Sequence, residues 1–103
     1  MTETERRSNW VFLSNHGYAL LCIARDPRIR IREIAQHIGV GERAAQKIVA
    51  DLVADGYVTR LKEGRRNRYE VNPQAHLRHP LFADAQVGLL LDALRDGDGD
   101  GSA

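Results

Sequence analysis

Residues 28–58, RIRIREIAQHIGVGERAAQKIVADLVADGYV, restrict what this chain can fold into more than any other stretch. Ile31, Ile34, Ala35 and Ile38 recur at i, i+3, i+4, i+7, the spacing of one apolar helix face. Ala45, Ile48, Val49 and Leu52 repeat the pattern. Gly39 ends the first run by supplying a left-handed C-terminal residue. Gly41 is a serviceable N-cap for the second run, Glu42 sits at its positive end, and Gly56 closes it. Three residues of connection leave two helices no room to run parallel, so they must meet across a shared core as a helix-turn-helix.

The residues just C-terminal to this motif narrow the fold further. Tyr57–Lys62 and Asn67–Asn72 alternate as two short strands, with Glu63–Arg66 as the loop and Gly64 providing a positive φ. A helix-turn-helix joined directly to a hairpin is a winged helix. Asn9–Arg25, NWVFLSNHGYALLCIAR, reads as a preceding helix with Trp10, Leu13, Leu20, Leu21 and Ala24 on one stripe and Phe12 and Ile23 off it. Gly17 within it costs roughly 1 kcal/mol against alanine, which close packing on another helix would offset. Pro27 ends that helix near Asp26. Pro73 breaks the second strand, QAHLRH runs extended, and Pro80 opens a last helix over Leu81–Arg95 with Val87, Leu90, Leu91 and Leu94 in register. The expected class is mainly α with a small β-hairpin (α+β): a winged helix-turn-helix over residues 9–78 and an extra C-terminal helix over 79–95. Residues 1–8 and the Gly/Asp-rich 96–103 are expected to be flexible tails.

These stretches, NWVFLSNHGYALLCIARDP, IREIAQHIGVGERAAQKIVADLVADGYVTR, GRRNRYEV and LRHPL, together resemble a family of small winged-helix bacterial transcriptional regulators, the MarR-like and ArsR-like proteins. The resemblance covers about residues 9–82, and its most specific parts are ERAAQKIVADL and GRRNRYEV. It implies a DNA-binding repressor or activator, a homodimer on an inverted repeat. The chain departs from the family pattern at Gly41 and Arg30, where Ser or Thr usually precedes a helix. Glycine still caps, but Arg30 has no acceptor to offer a backbone N–H, which leaves the start of its helix open.

Charge agrees with a polyanion-facing surface. The net charge is only +1, yet residues 25–78 hold twelve Lys/Arg against seven Asp/Glu, and residues 79–103 hold one against five. With the apolar positions turned inward, residues 42–55 present Glu42, Arg43, Gln46, Lys47 and Ala50 outward as a recognition helix for the major groove. Arg43 matches guanine and Gln46 adenine, each by two hydrogen bonds, while Lys47 suits a phosphate. Glu42 either accepts from a cytosine amine or complements the helix dipole. The wing, 62–68, adds Lys62, Arg65, Arg66, Asn67 and Arg68 at the minor groove or its phosphates. Alternation puts Arg66 and Arg68 on one side and Asn67 on the other, so not all of them should touch DNA. Arg28, Arg30 and Arg32 add charge near the first helix of the motif.

The expected partner is double-stranded DNA, bound by a homodimer joined through the first and last helices. Whether the last helix packs on its own chain or across the dimer stays open, as does a small-molecule effector, for which Trp10, Phe12, Tyr18 and Phe82 would line a pocket. A winged-helix module for RNA or protein–protein binding is the alternative. No nucleophile–base pair or phosphate loop supports an enzyme or a cofactor. His76 and His79 lack further ligands for a metal and read as a polar connector. Cys22 sits in an apolar stretch as an inert thiol. No run of about 18 apolar residues spans a membrane, and Met1–Arg7 lacks the apolar centre of a signal peptide, which points to a cytoplasmic protein.

Overall fold

The computed structural model describes residues 11–82 and 84–100, with side chains described to residue 94. The element order is α1 (Asn15–Arg25), α2 (Ile31–Ile38), α3 (Glu42–Ala54), β1 (Val58–Glu63), β2 (Arg66–Val71), a 3₁₀ turn (Pro80–Phe82) and α4 (Val87–Asp100). The described residues form a winged helix: three helices around one core, a two-stranded antiparallel wing, and a further helix returning to the body.

The helix-turn-helix forms where the periodicity puts it. Ile34 and Ala35 of α2 are buried against Ala45, Ile48, Val49 and Leu52 of α3, and Ile38 is partly buried beside them. Gly39 closes α2 in the left-handed region at φ 87°, which lets its N–H and that of Val40 both reach the Ala35 carbonyl. The start of α2, left open by Arg30, is secured from the other direction. The Glu33 side chain accepts the Arg30 backbone N–H at 2.9 Å, half of a capping box that needs no acceptor from arginine.

α1 is shorter than its apolar content predicts. Ser14 is the N-cap, its hydroxyl accepting the Gly17 N–H at 3.1 Å, so the helix begins at Asn15 instead of Asn9. Trp10 lies outside the described residues. The buried stripe is Ala19, Leu20 and Ile23, placing Ile23 at the centre of the face and Phe12 in solvent at 88% exposure. Among the described residues, a Cβ added at Gly17 would first meet Leu13 just before the helix, at 3.2 Å, and not a neighbouring helix.

The wing pairs Val58 with Val71 through to Glu63 with Arg66, leaving Gly64-Arg65 as a two-residue turn. Gly64, at φ 62°, holds the first central position, where such hairpins favour glycine. Tyr57, Val58 and Tyr69 carry this end of the molecule into the core.

The C-terminal helix is delayed by long-range backbone bonds. Leu77 N–H donates to Ala85, Val87 to Ala75 and Gly88 to Pro73, with a bridge between His76 and Gln86. These hold residues 85 and 86 extended, so α4 starts at Val87 and not Leu81. Val87 and Leu91 then bury against the body, and α4 packs on α1 of its own chain. At the other end the helix continues to Asp100, beyond the Arg95 stop expected from the glycines. Propagation adds one hydrogen bond per residue ordered, so an established helix runs on into poor helix formers.

Gly88 is where α4 touches the turn that follows β2: an added Cβ would lie 2.7 Å from Pro73 Cβ and 2.8 Å from its carbonyl oxygen. Gly88→Ala would improve helix propensity by roughly 1 kcal/mol on its own. We expect net destabilisation on the order of 1 kcal/mol instead, because the clash is with backbone. Chemical denaturation checks this, and a stabilised variant would mean that α4 does not sit on Pro73.

Candidate nucleic-acid interface

α3 divides cleanly by burial. Ala45, Ile48, Val49 and Leu52 face the core, and Glu42, Arg43, Ala44, Gln46, Lys47 and Ala50 are exposed. Gly41 precedes the helix in extended conformation and offers no side-chain cap, so the first-turn N–H groups and Glu42 share the positive helix end. Arg43 and Gln46 have no side-chain hydrogen bond or ion pair among the described residues. Lys47 is placed differently: its Nζ lies 2.9 Å from Asp51 Oδ1, one helical turn along. The other Asp51 oxygen meets His16 Nε2 of α1 at 2.8 Å. The Lys47 hydrogen bond, then that of His16, lowers the Asp51 pKa, and the same contact raises that of Lys47.

The wing also separates into free and occupied cations. Lys62 and Arg65 are exposed and have no side-chain partner among the described residues. Arg66 Nη2 donates to the Arg28 carbonyl at 2.9 Å, a bond that leaves its charge uncompensated. Arg68 is held by two carboxylates, Glu63 at 3.1 Å and Glu70 at 3.2 Å. Glu63 also takes a two-pronged contact from Arg28, Nε to Oε1 at 2.9 Å and Nη2 to Oε2 at 3.2 Å. That Arg28 contact is the main reason the Glu63 carboxyl titrates below its ordinary value. Asn67 is half-buried on the face of Tyr69, away from Arg66 and Arg68. The strand alternation is as expected from sequence; the ion pairing was not visible there.

A backbone bond from Tyr69 N–H to the Pro27 carbonyl, 2.9 Å, ties β2 to the α1–α2 connection. Together with the Arg66 and Arg28 contacts it fixes the wing to the helix-turn-helix from the side. Arg30 and Arg32 are exposed near this seam.

The remaining candidates, Cys22, His76 and His79, lie apart from this surface. Burial pushes the Cys22 thiol above its ordinary pKa, which disfavours the thiolate. His76 accepts the Tyr57 hydroxyl through its carbonyl, and His79 Nδ1 accepts the Leu81 N–H at 3.1 Å. Among the described residues no group of three or more His, Cys, Asp or Glu is placed to hold a metal. No described helix is long and apolar enough to cross a membrane. The aromatic pocket expected between the first and last helices does not form from the described residues. Phe12 and Phe82 are exposed, Tyr18 lies in a different groove beside Cys22, and Trp10 is outside the described residues. A largely aliphatic cavity of about 420 Å³ opens there instead, with Leu13, Leu20, Leu52, Leu90 and Leu94 in its wall and Asp51 at its edge.

Comparison with known families agrees with this geometry. Residues 19–59, from within α1 to the start of β1, match the family model for winged helix-turn-helix DNA-binding. With its hairpin and three-helix core the chain has the winged-helix fold, and over residues 19–59 it is similar to that family. Among solved structures, the zinc-dependent MarR family transcriptional regulator AdcR, in its Zn(II)-bound state, is similar at 22% identity with a TM-score of 0.46. That alignment covers 63% of this chain and 47% of AdcR, so it spans just under half of that regulator. No curated protein matches the chain.

Proposed function

We propose that this protein is a sequence-specific transcriptional regulator of the MarR-like or ArsR-like kind that binds duplex DNA as a homodimer. α3 enters the major groove, and the wing lies at the adjacent minor groove or its phosphates. The observation that carries this reading is the pair of exposed side chains at the start of α3, Arg43 and Gln46, and the wing side chains Lys62 and Arg65, all four without a partner among the described residues. Arg43 reads guanine and Gln46 adenine. Lys47, on leaving Asp51, takes a phosphate, as do Lys62, Arg65 and Arg66. Asn67 shapes the wing's inner face, and Arg68 supports the hairpin through its two carboxylates.

The dimer reading is supported by α4. Its inner residues Val87 and Leu91 are buried, while Leu89 at 74% exposure, Leu90 and Leu94 leave a second apolar face uncovered. Leu81 and Phe82 extend the apolar surface beside it. A second copy covering these faces would present two recognition helices to half-sites about one DNA turn apart.

Selecting bound fragments from a genomic DNA library with the purified protein tests the whole reading. The expected result is enrichment of an inverted repeat over bulk DNA at moderate salt; no enrichment, or a preference for single strands, overturns it. Arg43→Ala then localises base choice. It should lower discrimination at one base pair per half-site by roughly 1–3 kcal/mol and leave affinity for random duplex nearly unchanged. A uniform loss across sequences would assign Arg43 to the backbone instead.

A further inference from the structure

Over residues 58–71 the wing holds five basic side chains, Arg60, Lys62, Arg65, Arg66 and Arg68, and two acidic ones, Glu63 and Glu70. If its role were grip alone, every cation would be left for phosphate. Glu63 instead ends β1 with its carboxylate filled by arginine donors from two directions.

We propose that Glu63 is an internal phosphate surrogate: its carboxylate holds the guanidinium groups of Arg28 and Arg68 back from the DNA backbone, and so sets how many phosphates this protein neutralises. The proposal rests on the DNA-binding reading and adds to it a residue that the apolar and basic patterns do not single out.

The geometry is that of a competitor for phosphate. Carboxylate and phosphate recognise guanidinium through the same edge, by parallel charge-assisted hydrogen bonds. Arg28 presents its Nε–Nη2 edge to the two Glu63 oxygens at 2.9 and 3.2 Å, so that edge is taken. Arg68 gives its Nε to Glu63 at 3.1 Å and its Nη1 to Glu70 at 3.2 Å, so its charge is shared between two carboxylates. Arg66 differs in kind: its bond is to a backbone carbonyl, and its charge remains available. Among the described residues the cations around the wing therefore fall into two sets, with Arg60, Lys62, Arg65 and Arg66 open and Arg28 and Arg68 occupied. The occupied pair remains partly exposed, with side chains 58% and 30% accessible, so a phosphate can reach them once Glu63 lets go.

The alternative role for Glu63 is a brace that orients the wing, and the two roles differ in the sign of a measurable quantity. The logarithm of duplex affinity falls with the logarithm of salt concentration, with a slope of about 0.9 per neutralised phosphate. Glu63→Gln keeps the shape and two acceptor lone pairs but removes the charge. As a surrogate, its loss returns arginines to the backbone: the variant binds random-sequence duplex more tightly at low salt, and its slope steepens by about 0.9 for each arginine regained. As a brace, its loss loosens the wing, and affinity and slope both fall.

The experiment is a salt titration of the full chain on a random-sequence duplex, comparing wild type, Glu63→Gln, and Arg28→Ala and Arg68→Ala in the wild-type background. A steeper slope for Glu63→Gln with unchanged slopes for the two alanine variants supports the surrogate. An unchanged or shallower slope for a folded Glu63→Gln overturns it. So does a drop of about 0.9 in either alanine variant, which would place that arginine on phosphate already. The alanine variants decide the matter should Glu63→Gln fail to fold. Wild-type protein that binds duplex while Glu63→Gln behaves identically removes only this inference; wild-type protein with no salt-dependent duplex binding removes the DNA-binding reading and this one with it.

Discussion

Ile34→Ala should lower the unfolding free energy by about 2–5 kcal/mol, the range for truncating a fully buried isoleucine. Ile34 is fully buried in α2, the short helix that packs against both α1 and α3. The neighbours that could close over a truncated side chain are themselves committed: Ile23 and Val49 are also fully buried, and Ala35 and Ala45 have no length to extend. A domain of this size has about 5–15 kcal/mol in total, so the loss is a large fraction of its stability. Denaturant unfolding followed by circular dichroism reads the change; a loss below about 1 kcal/mol would mean that Ile34 is not a keystone of the three-helix core. Below the lowered melting temperature, the exposed face of α3 should still bind DNA, because none of its outward side chains touches the cavity.

The second large effect belongs to the wing. Alanine at both Arg65 and Arg66 should reduce the salt slope of duplex binding by about 1.8, which is two phosphate contacts at about 0.9 each, and weaken binding to all sequences alike. Arg65 stands at the turn with no internal partner among the described residues, and the Arg66 charge is not compensated by its carbonyl bond, so both count toward the polyanion. Stability should change little, since both side chains are exposed and only one backbone-directed hydrogen bond is lost. Titrations at several salt concentrations measure this directly. An unchanged slope would take the tip out of the interface, and selective loss on one sequence would make it a base reader.

The contrast with Arg68 explains why composition alone overstates such a site. GRRNRY places three arginines within four residues, and they have three different fates. Arg65 is open, Arg66 bonds a carbonyl while keeping its charge available, and Arg68 is bound between two carboxylates. Nothing in the local pattern separates them. Strand alternation puts Arg66 and Arg68 on one side, but what waits on that side is Arg28 and Glu63, brought together over 35 residues of chain. Lys47 is similar on α3: its apolar neighbours predict an outward side chain correctly, while its tie to Asp51, and through Asp51 to His16, depends on α1 lying alongside.

The helix-turn-helix and the wing were determined by sequence alone. Their signals are local: helical spacing of isoleucine and valine, glycines where a left-handed residue or a tight hairpin is required, and alternation over two short strands. Such signals act over a turn of helix or a pair of strands, so they survive without knowledge of the rest of the chain. The ends of α1 and α4 were not legible in that way. Ser14 outcompetes a longer apolar run by capping the first N–H groups, and backbone bonds between residues 73–77 and 85–88 hold extended a segment whose side chains suit a helix. The same distinction runs through the interface. Sequence determined which residues face outward on α3 and the wing; tertiary structure alone decided which of those charges are free, because an ion pair depends on where a distant carboxylate comes to rest.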